Sequence, residues 1–239
     1  MTSELYLLGF GPEGWGPVLA RAGLMTLAVS LSAFLLGTML GTLAVCGRVS
    51  GNALARRIAE IYVVVLRGVP DLLVIFLFYF GGRQVVAFFG TALGFEGPFD
   101  ISGFAAGMLA IGLISGAGQS EVLRGAYQAV PKGTLEAGRV VGMTRWQLFR
   151  RVIAPQAMVT AIPGMGNQWQ SVIKESALVS VTGLVETMRQ VSIAAGTTQE
   201  HFLFYTAAAI IYLIITTLSD QVFRLLERRS MAGYAGASR

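Results

Sequence analysis

Charge is what this sequence has least of. Only 13% of its 239 residues are charged, against about a quarter in a water-soluble domain. The deficit comes in blocks, with long uncharged stretches between short charged ones, as in a chain whose solvent is largely lipid. A single cysteine, Cys46, excludes an intrachain disulfide and a cysteine metal cluster. Lying in an apolar run, it reads as a small buried residue. A single histidine, His201, excludes a paired-histidine zinc site, and its place at the edge of an apolar segment makes it an exposed interfacial group. No G-x-x-x-x-G-K-[ST] phosphate loop occurs, so the chain does not hydrolyse ATP by that mechanism. No nucleophile–base pairing stands at recognisable spacing, and an enzyme is not expected. Zinc-finger spacings and aromatic–basic RNA signatures are missing as well, which sets nucleic acid aside. The net charge of +5 instead gathers at the ends of apolar segments, where it orients a membrane protein. A basic start followed by a short apolar core and a cleavage site is not seen, so the first membrane segment is expected to direct insertion.

What is present is a series of apolar segments. A spanning helix needs about 20 mainly apolar residues, and residues 22–45 supply them without a charge. Within them Gly37 and Gly41 form a small-xxx-small spacing that suits ordinary close helix packing. Residues 52–66 mix Arg56, Arg57 and Glu60 with Leu54, Ile58, Ile61 and Val65 at helical steps, as an interfacial helix does. Pro70 is expected to interrupt or start a helix, ahead of a second span over 69–89. Asp100 and Ser102 are candidate caps for a third, glycine-rich span over 103–123. The fourth, 152–181, is broken by Pro155, Pro163, Gly164 and Gly166, and the fifth covers 202–223. The fold class is therefore an all-α membrane protein with five transmembrane helices in a single domain over 1–239.

Five spans place the termini on opposite sides, and basic residues decide which. Arg48, Arg56, Arg57, Arg124, Lys132, Arg139, Arg145, Arg150, Arg151, Arg224, Arg228, Arg229 and Arg239 fall on one side. Arg21, Arg83 and Arg189 fall on the other, with Glu4, Glu13, Glu96, Asp100, Glu186 and Glu200. The excess sets the N-terminus outside and the C-terminus in the cytoplasm.

The segment 124–151 is too charged to span and is expected in the cytoplasm. Gly133 and Thr134 open a helical pattern through Glu136, Gly142 permits a break, and Thr144–Gln147 reads as a capping box for a second helix. Gly138, Gly142, Trp146, Phe149 and Ile153 recur at steps of three and four, so on a continuous helix they would share one small-plus-aromatic face, with Arg139, Arg145 and Arg150 off it. Such a face lies on the membrane surface or docks on another protein.

Glu136-Ala137-Gly138, Gly142 and Ile153-Ala154-Pro155 resemble the cytoplasmic EAA loop of binding-protein-dependent ABC importer permeases. Gly138 and Ala154 stand where Ala and Leu are commonest there. Arg67-Gly68-Val69-Pro70-Asp71, Arg124-Gly125-Ala126, Val130-Pro131-Lys132-Gly133, Pro163-Gly164-Met165-Gly166-Asn167 and residues 174–180 are similar to the histidine/lysine/arginine/ornithine and opine branch of the polar amino acid permeases. Gly118 departs from that branch, where an aromatic residue often precedes the Ser-Glu pair. The resemblance implies a type I ABC importer permease fold in the bacterial cytoplasmic (inner) membrane. It implies transport of a polar, cationic amino acid or opine. It also implies partners: ABC ATPase subunits, a second permease subunit (a paralogue or an identical copy), a periplasmic substrate-binding protein and membrane lipid. ATP and Mg are then used by the ATPase, and no cofactor is bound by this chain. Glu136, Ala137, Gly138, Gly142, Trp146, Phe149, Ile153 and Pro155 become the expected ATPase-coupling residues.

Polar groups inside spans are costly and face a pathway or a partner. Asn167 and Ser171, four apart on the fourth segment, are candidates for lining a translocation path, with Gln168, Gln170, Lys174 and Glu175 nearby. Glu121 is a less central candidate, placed to attract a cation. The alternative is a set of internal hydrogen bonds and salt bridges. Arg67 and Asp71, like Asp220 and Arg224, have the spacing of local ion pairs. A self-contained secondary transporter would also show broken helices and central polar residues, but an inverted repeat is expected there and none is evident. A membrane-anchored enzyme would need a soluble domain that the chain has no room for.

Overall fold

The computed structural model describes residues 5–12, 14–92 and 101–237. Asp100, one of the two candidate caps, lies outside them, as do Glu4, Glu13, Glu96 and Arg239 of the charge tally. Every regular element described is helical. The first helix, α1 (Gly16–Val49), opens with Pro17 in its first turn, a position suited to a residue without an amide hydrogen. After Asn52, whose side chain caps it, comes α2 (Ala53–Gly68). Pro70 then starts α3 (Asp71–Phe76), which passes through a π-helical turn (Leu77–Gly81) into α4 (Gly82–Ala92). The chain bends by 108° between α2 and α3. Arg67 and Asp71 consequently stand on different helices, and the expected local ion pair between them is not formed, because Val69 and Pro70 end one helix before the other begins.

Ser102 caps α5 (Gly103–Gln128) by accepting from the Ala105 amide. Two short helices, α6 (Lys132–Val140) and α7 (Arg145–Leu148), lead through a π-helical turn (Phe149–Ile153) into α8 (Ala154–Ser176). A 3-10 turn (Ala177–Thr182) follows, then α9 (Thr187–Thr198) and α10 (His201–Ala237). His201 is exposed, as expected at a segment boundary. Asp220 accepts from Arg224 at 2.7 Å, the expected local pair. Cys46 corrects the sequence reading: it is exposed on α1 rather than buried.

Three helices are long and apolar enough to cross a membrane alone: α1, α5 and α10 over His201–Met231. The bent pair α2 with α3–α4 qualifies as a fourth, broken span or a re-entrant loop. The fourth expected segment forms α8, which fails that test because its own polar residues dilute its hydropathy. Its break also needs correction. The helix runs uninterrupted through Pro163, and the neighbouring glycines are points of contact. A Cβ on Gly164 would meet the Val122 side chain of α5, and one on Gly166 would meet the Phe223 ring of α10. Glycine here brings helices together instead of bending one.

The core is built around the α1–α5 crossing. A Cβ on Gly37 would lie 3.1 Å from the Gly112 carbonyl oxygen, and one on Gly41 would lie 2.9 Å from the Gly116 carbonyl oxygen. Backbones therefore touch where lipid-like side chains would hold them apart. Around this crossing Ala33, Val74, Ile75, Ala110, Ile111, Ile114, Val172 and Val179 form the main apolar cluster, drawing in α3, α8 and the 3-10 turn. A second cluster joins Leu19 of α1, Val191, Ala194 and Ala195 of α9, and Phe204 and Ala208 of α10. The α9 helix was not expected from the sequence. Its Glu186 cap and the Val191, Ala194, Ala195 spacing are the signals that mark it.

Candidate functional site

Polar residues within the helices divide into two groups. The first is satisfied internally. Gln119, fully buried on α5, donates to the Phe34 carbonyl at 3.2 Å and to the Ser115 hydroxyl at 2.8 Å, and accepts from Thr38 at 2.7 Å. Tyr62 of α2 donates to the Leu113 carbonyl at 2.8 Å. Glu186, also fully buried, accepts from the Met188 and Arg189 amides and from the Tyr212 hydroxyl at 2.9 Å. Thr26 adds a longer contact to it at 3.3 Å and meets the Thr187 hydroxyl at 2.8 Å. Such fully paired groups join α1, α9 and α10 at little net cost, whereas a lone one in hydrocarbon would be expensive.

Glu121 belongs with this first group. Its carboxylate accepts from Arg48 at 2.6 Å and from Arg124 at 2.7 Å. Two guanidinium groups already neutralise it, which corrects its reading as a residue free to attract a cation. It fastens the end of α1 to the end of α5.

The second group lies on α8 and is not satisfied. Thr160, Pro163, Asn167 and Lys174 are exposed and Ser171 is half-buried. Their spacings of three, four, four and three residues put them on one stripe. Asn167 and Ser171 form no side-chain hydrogen bond within the chain among the described residues. Beside the stripe, Gln168 faces Gly118 of α5, where a Cβ would collide with the glutamine amide. The small residue noted as unusual at position 118 thus makes room for Gln168. Glu175 follows on the same flank. Its Oε2 is buried and accepts no hydrogen bond, and Asp71, at the start of α3, lies within electrostatic reach of it. The sequence brought Asn167 and Ser171 to notice and left Glu175 open. It missed Asp71 in this setting, because only the bend at Pro70 carries α3 back against the end of α8.

The segment 132–153 presents a different surface. Gly142 has a φ of +78°, a left-handed backbone that glycine adopts freely, and it separates α6 from α7. The capping box forms as expected: the Thr144 hydroxyl accepts from the Gln147 amide, and the Gln147 side chain accepts from the Thr144 amide at 2.9 Å. The single continuous face does not form, because the turn at Gly142 folds the two helices onto each other. Gly138 turns inward against Leu148, and Ile153 joins Val130 and Leu148 in a small cluster. Trp146 and Phe149 turn outward with rings stacked 6.0 Å apart. Glu136, Ala137 and Pro155 are exposed. Val140 and Val141 join the outward side at 87% and 72% exposure, an extension of this surface that the helical spacing did not show.

A helical membrane protein with one unsatisfied polar stripe and a separate apolar patch on a basic segment is the architecture of a transport subunit. The family model for the inner membrane component of binding-protein-dependent transport systems matches residues 33–231, and the chain belongs to that family. The octopine transport system permease protein OccQ of Rhizobium radiobacter is 51% identical over 227 residues, spanning 95% of this chain and 96% of that one. The histidine/lysine/arginine/ornithine transport system permease protein HisQ of Escherichia coli (strain K12) is 39% identical over 220 residues, 92% and 96% of the two chains. A crystal structure of an amino acid ABC transporter with histidines matches with a TM-score of 0.77 and 32% identity, covering 90% of this chain and 95% of that one. The fold is that of a type I ABC importer permease. The chain is an inner-membrane permease subunit of an ABC importer, with the ATPase in a separate subunit.

Proposed function

We propose that this permease carries a cationic amino acid or an opine along a path lined by the α8 stripe. The observation that carries the reading is Asn167, exposed, and Ser171, half-buried, both polar and without a side-chain hydrogen bond among the described residues. A polar solute crossing hydrocarbon needs groups that replace its water, and a stripe of this kind is stable only against water, substrate or another protein. Asp71 and Glu175, whose buried oxygen has no partner, place two carboxyl groups on one flank, which suits a cationic cargo. Relatives named for octopine and for histidine, lysine, arginine and ornithine transport support the same class.

In this reading residues 1–239 form one permease domain, with the N-terminus outside. A second permease subunit, identical or paralogous, covers the stripe from the far side, and a periplasmic binding protein delivers the substrate. The patch of Val140, Val141, Trp146 and Phe149 docks on the ATPase, which uses ATP and Mg, while Gly138 and Ile153 hold the patch in shape from beneath. The chain itself binds no cofactor.

The test places single cysteines at Asn167 and Ser171 in a Cys46-free background, within the assembled complex. Both are expected to react with a small water-soluble reagent in at least one nucleotide state. Asn167→Leu and Ser171→Leu are expected to lower uptake at least tenfold with assembly unchanged. Unreactive cysteines together with normal uptake by the Leu variants would show packing groups and end the path assignment. Cysteines at Gly97 and Lys132, labelled from outside and from the cytoplasm respectively, check the orientation.

A further inference from the structure

Lys174 is the one lysine within α8, and no carboxylate pairs with it among the described residues. It is exposed, and it lines a cavity of about 410 Å³ between the end of α8 and the middle of α10, with Ala177, Ala209, Tyr212, Leu213 and Thr216. Tyr212 and Thr216 lie eleven and fifteen residues into α10. At about 1.5 Å per residue this is roughly 17–23 Å from its start, well inside a hydrocarbon core about 30 Å thick. An unpaired ammonium at that depth is expensive unless something anionic or wet meets it.

Its position relative to the other charges is fixed by the helix. Neighbouring residues on a helix point about 100° apart, so Lys174 and Glu175 mark opposite edges of the α8 stripe. Asn167 and Ser171 fall between those edges. One flank carries Lys174 and the cavity against α10. The other carries Gln168, Glu175 and, from α3, Asp71. The stripe therefore has an ammonium on one edge and two carboxyl groups on the other, with hydrogen-bonding groups between them.

We propose that Lys174 anchors the substrate carboxylate in a dipolar site, with Glu175 and Asp71 facing the cationic end and Asn167 and Ser171 between. This rests on the α8 stripe being the path. It goes beyond that reading by assigning recognition of the substrate carboxylate to one residue, and by fixing the substrate's orientation across the stripe. A cation lacking a carboxylate is then rejected by this subunit as well as by any delivery protein, because it leaves the lysine unpaired at depth.

The experiment uses the whole complex with its ATPase and partner permease in lipid nanodiscs, without a binding protein. Equilibrium binding of radiolabelled L-arginine is compared with that of agmatine, which is arginine without its carboxylate. The wild type is expected to prefer arginine at least tenfold. Lys174→Gln is expected to bring arginine down to the agmatine level and leave agmatine unchanged, while Lys174→Arg keeps the preference. Glu175→Gln is expected to weaken both probes. An arginine-to-agmatine ratio unchanged by Lys174→Gln, or an equal loss of both, overturns the carboxylate anchor and leaves the path standing if Asn167→Leu still blocks uptake. A wild-type complex that binds neither probe, nor radiolabelled octopine, overturns the cationic-substrate reading and the dipolar site with it.

Discussion

The polar residues of α5 and those of α8 look alike in sequence and behave differently in the fold. Both helices carry amides, hydroxyls and a glutamate among glycines and alanines. On α5 the Gln119 amide has three partners and Glu121 has two arginines. On α8 Asn167, Ser171 and Lys174 have none among the described residues, and Glu175 keeps a bare buried oxygen. The difference lies in what opposes each helix. α5 is pressed on α1 at backbone contact, so its polar groups find acceptors at once, whereas α8 turns its stripe away from the bundle. A polar residue in a membrane helix is thus a structural element when its neighbours complete it and a functional candidate when they do not.

The largest expected effect strikes the satisfied side. Gly116→Val would drive a branched side chain into the Gly37 carbonyl and the Tyr62 hydroxyl. Separating α1 from α5 should abolish stable expression altogether, read as loss of a monodisperse peak in detergent, with uptake lost only as a consequence. Gln119→Leu sharpens the contrast with Asn167→Leu. It removes the side-chain partner of the buried Ser115 hydroxyl, at about 1–3 kcal/mol for a lost buried partner, while Thr38 keeps the Phe34 carbonyl. It should lower the midpoint of thermal unfolding by several degrees and reduce uptake only in proportion to the protein remaining. A Gln119→Leu variant with full stability and no transport would erase the distinction between the two helices. The smallest effect belongs to Arg48→Gln, which leaves Glu121 with Arg124. Partly exposed pairs contribute about 1 kcal/mol or less, so a slight loss of thermal stability at unchanged uptake is expected, measured by the same melt at two salt concentrations.

Much of this was legible from residue patterns. The clean apolar runs around 22–45, 103–123 and 202–223 became α1, α5 and α10, because long apolar helices advertise themselves through hydropathy alone. The capping box at Thr144 and the turn at Gly142 were equally plain, being local. What escaped depended on distant neighbours. Pro163, Gly164 and Gly166 read as a break, yet Val122 and Phe223 occupy the space that the glycines leave. Glu121 left a cation-attracting role and an internal salt bridge both open, because Arg48, which with Arg124 decides for the salt bridge, stands seventy-three residues earlier in the chain. The expected face of Gly138, Gly142, Trp146, Phe149 and Ile153 assumed a continuous helix, and the folded turn sends Gly138 and Ile153 to the opposite side from the aromatic pair. Asp71 came to the site through a 108° bend that no spacing encodes.

The length of α10 has a mechanical meaning. Thirty-seven residues make a rod of about 55 Å, nearly twice the thickness of the hydrocarbon it crosses. One end is pinned by Phe204 and Ala208 against α9 and the start of α1, while the other carries Arg224, Arg228 and Arg229 past the last packed turn near Phe223. A stiff rod packed along its length as far as Phe223 moves with the bundle, so a tilt of a few degrees shows most at the unpacked turns that carry these arginines.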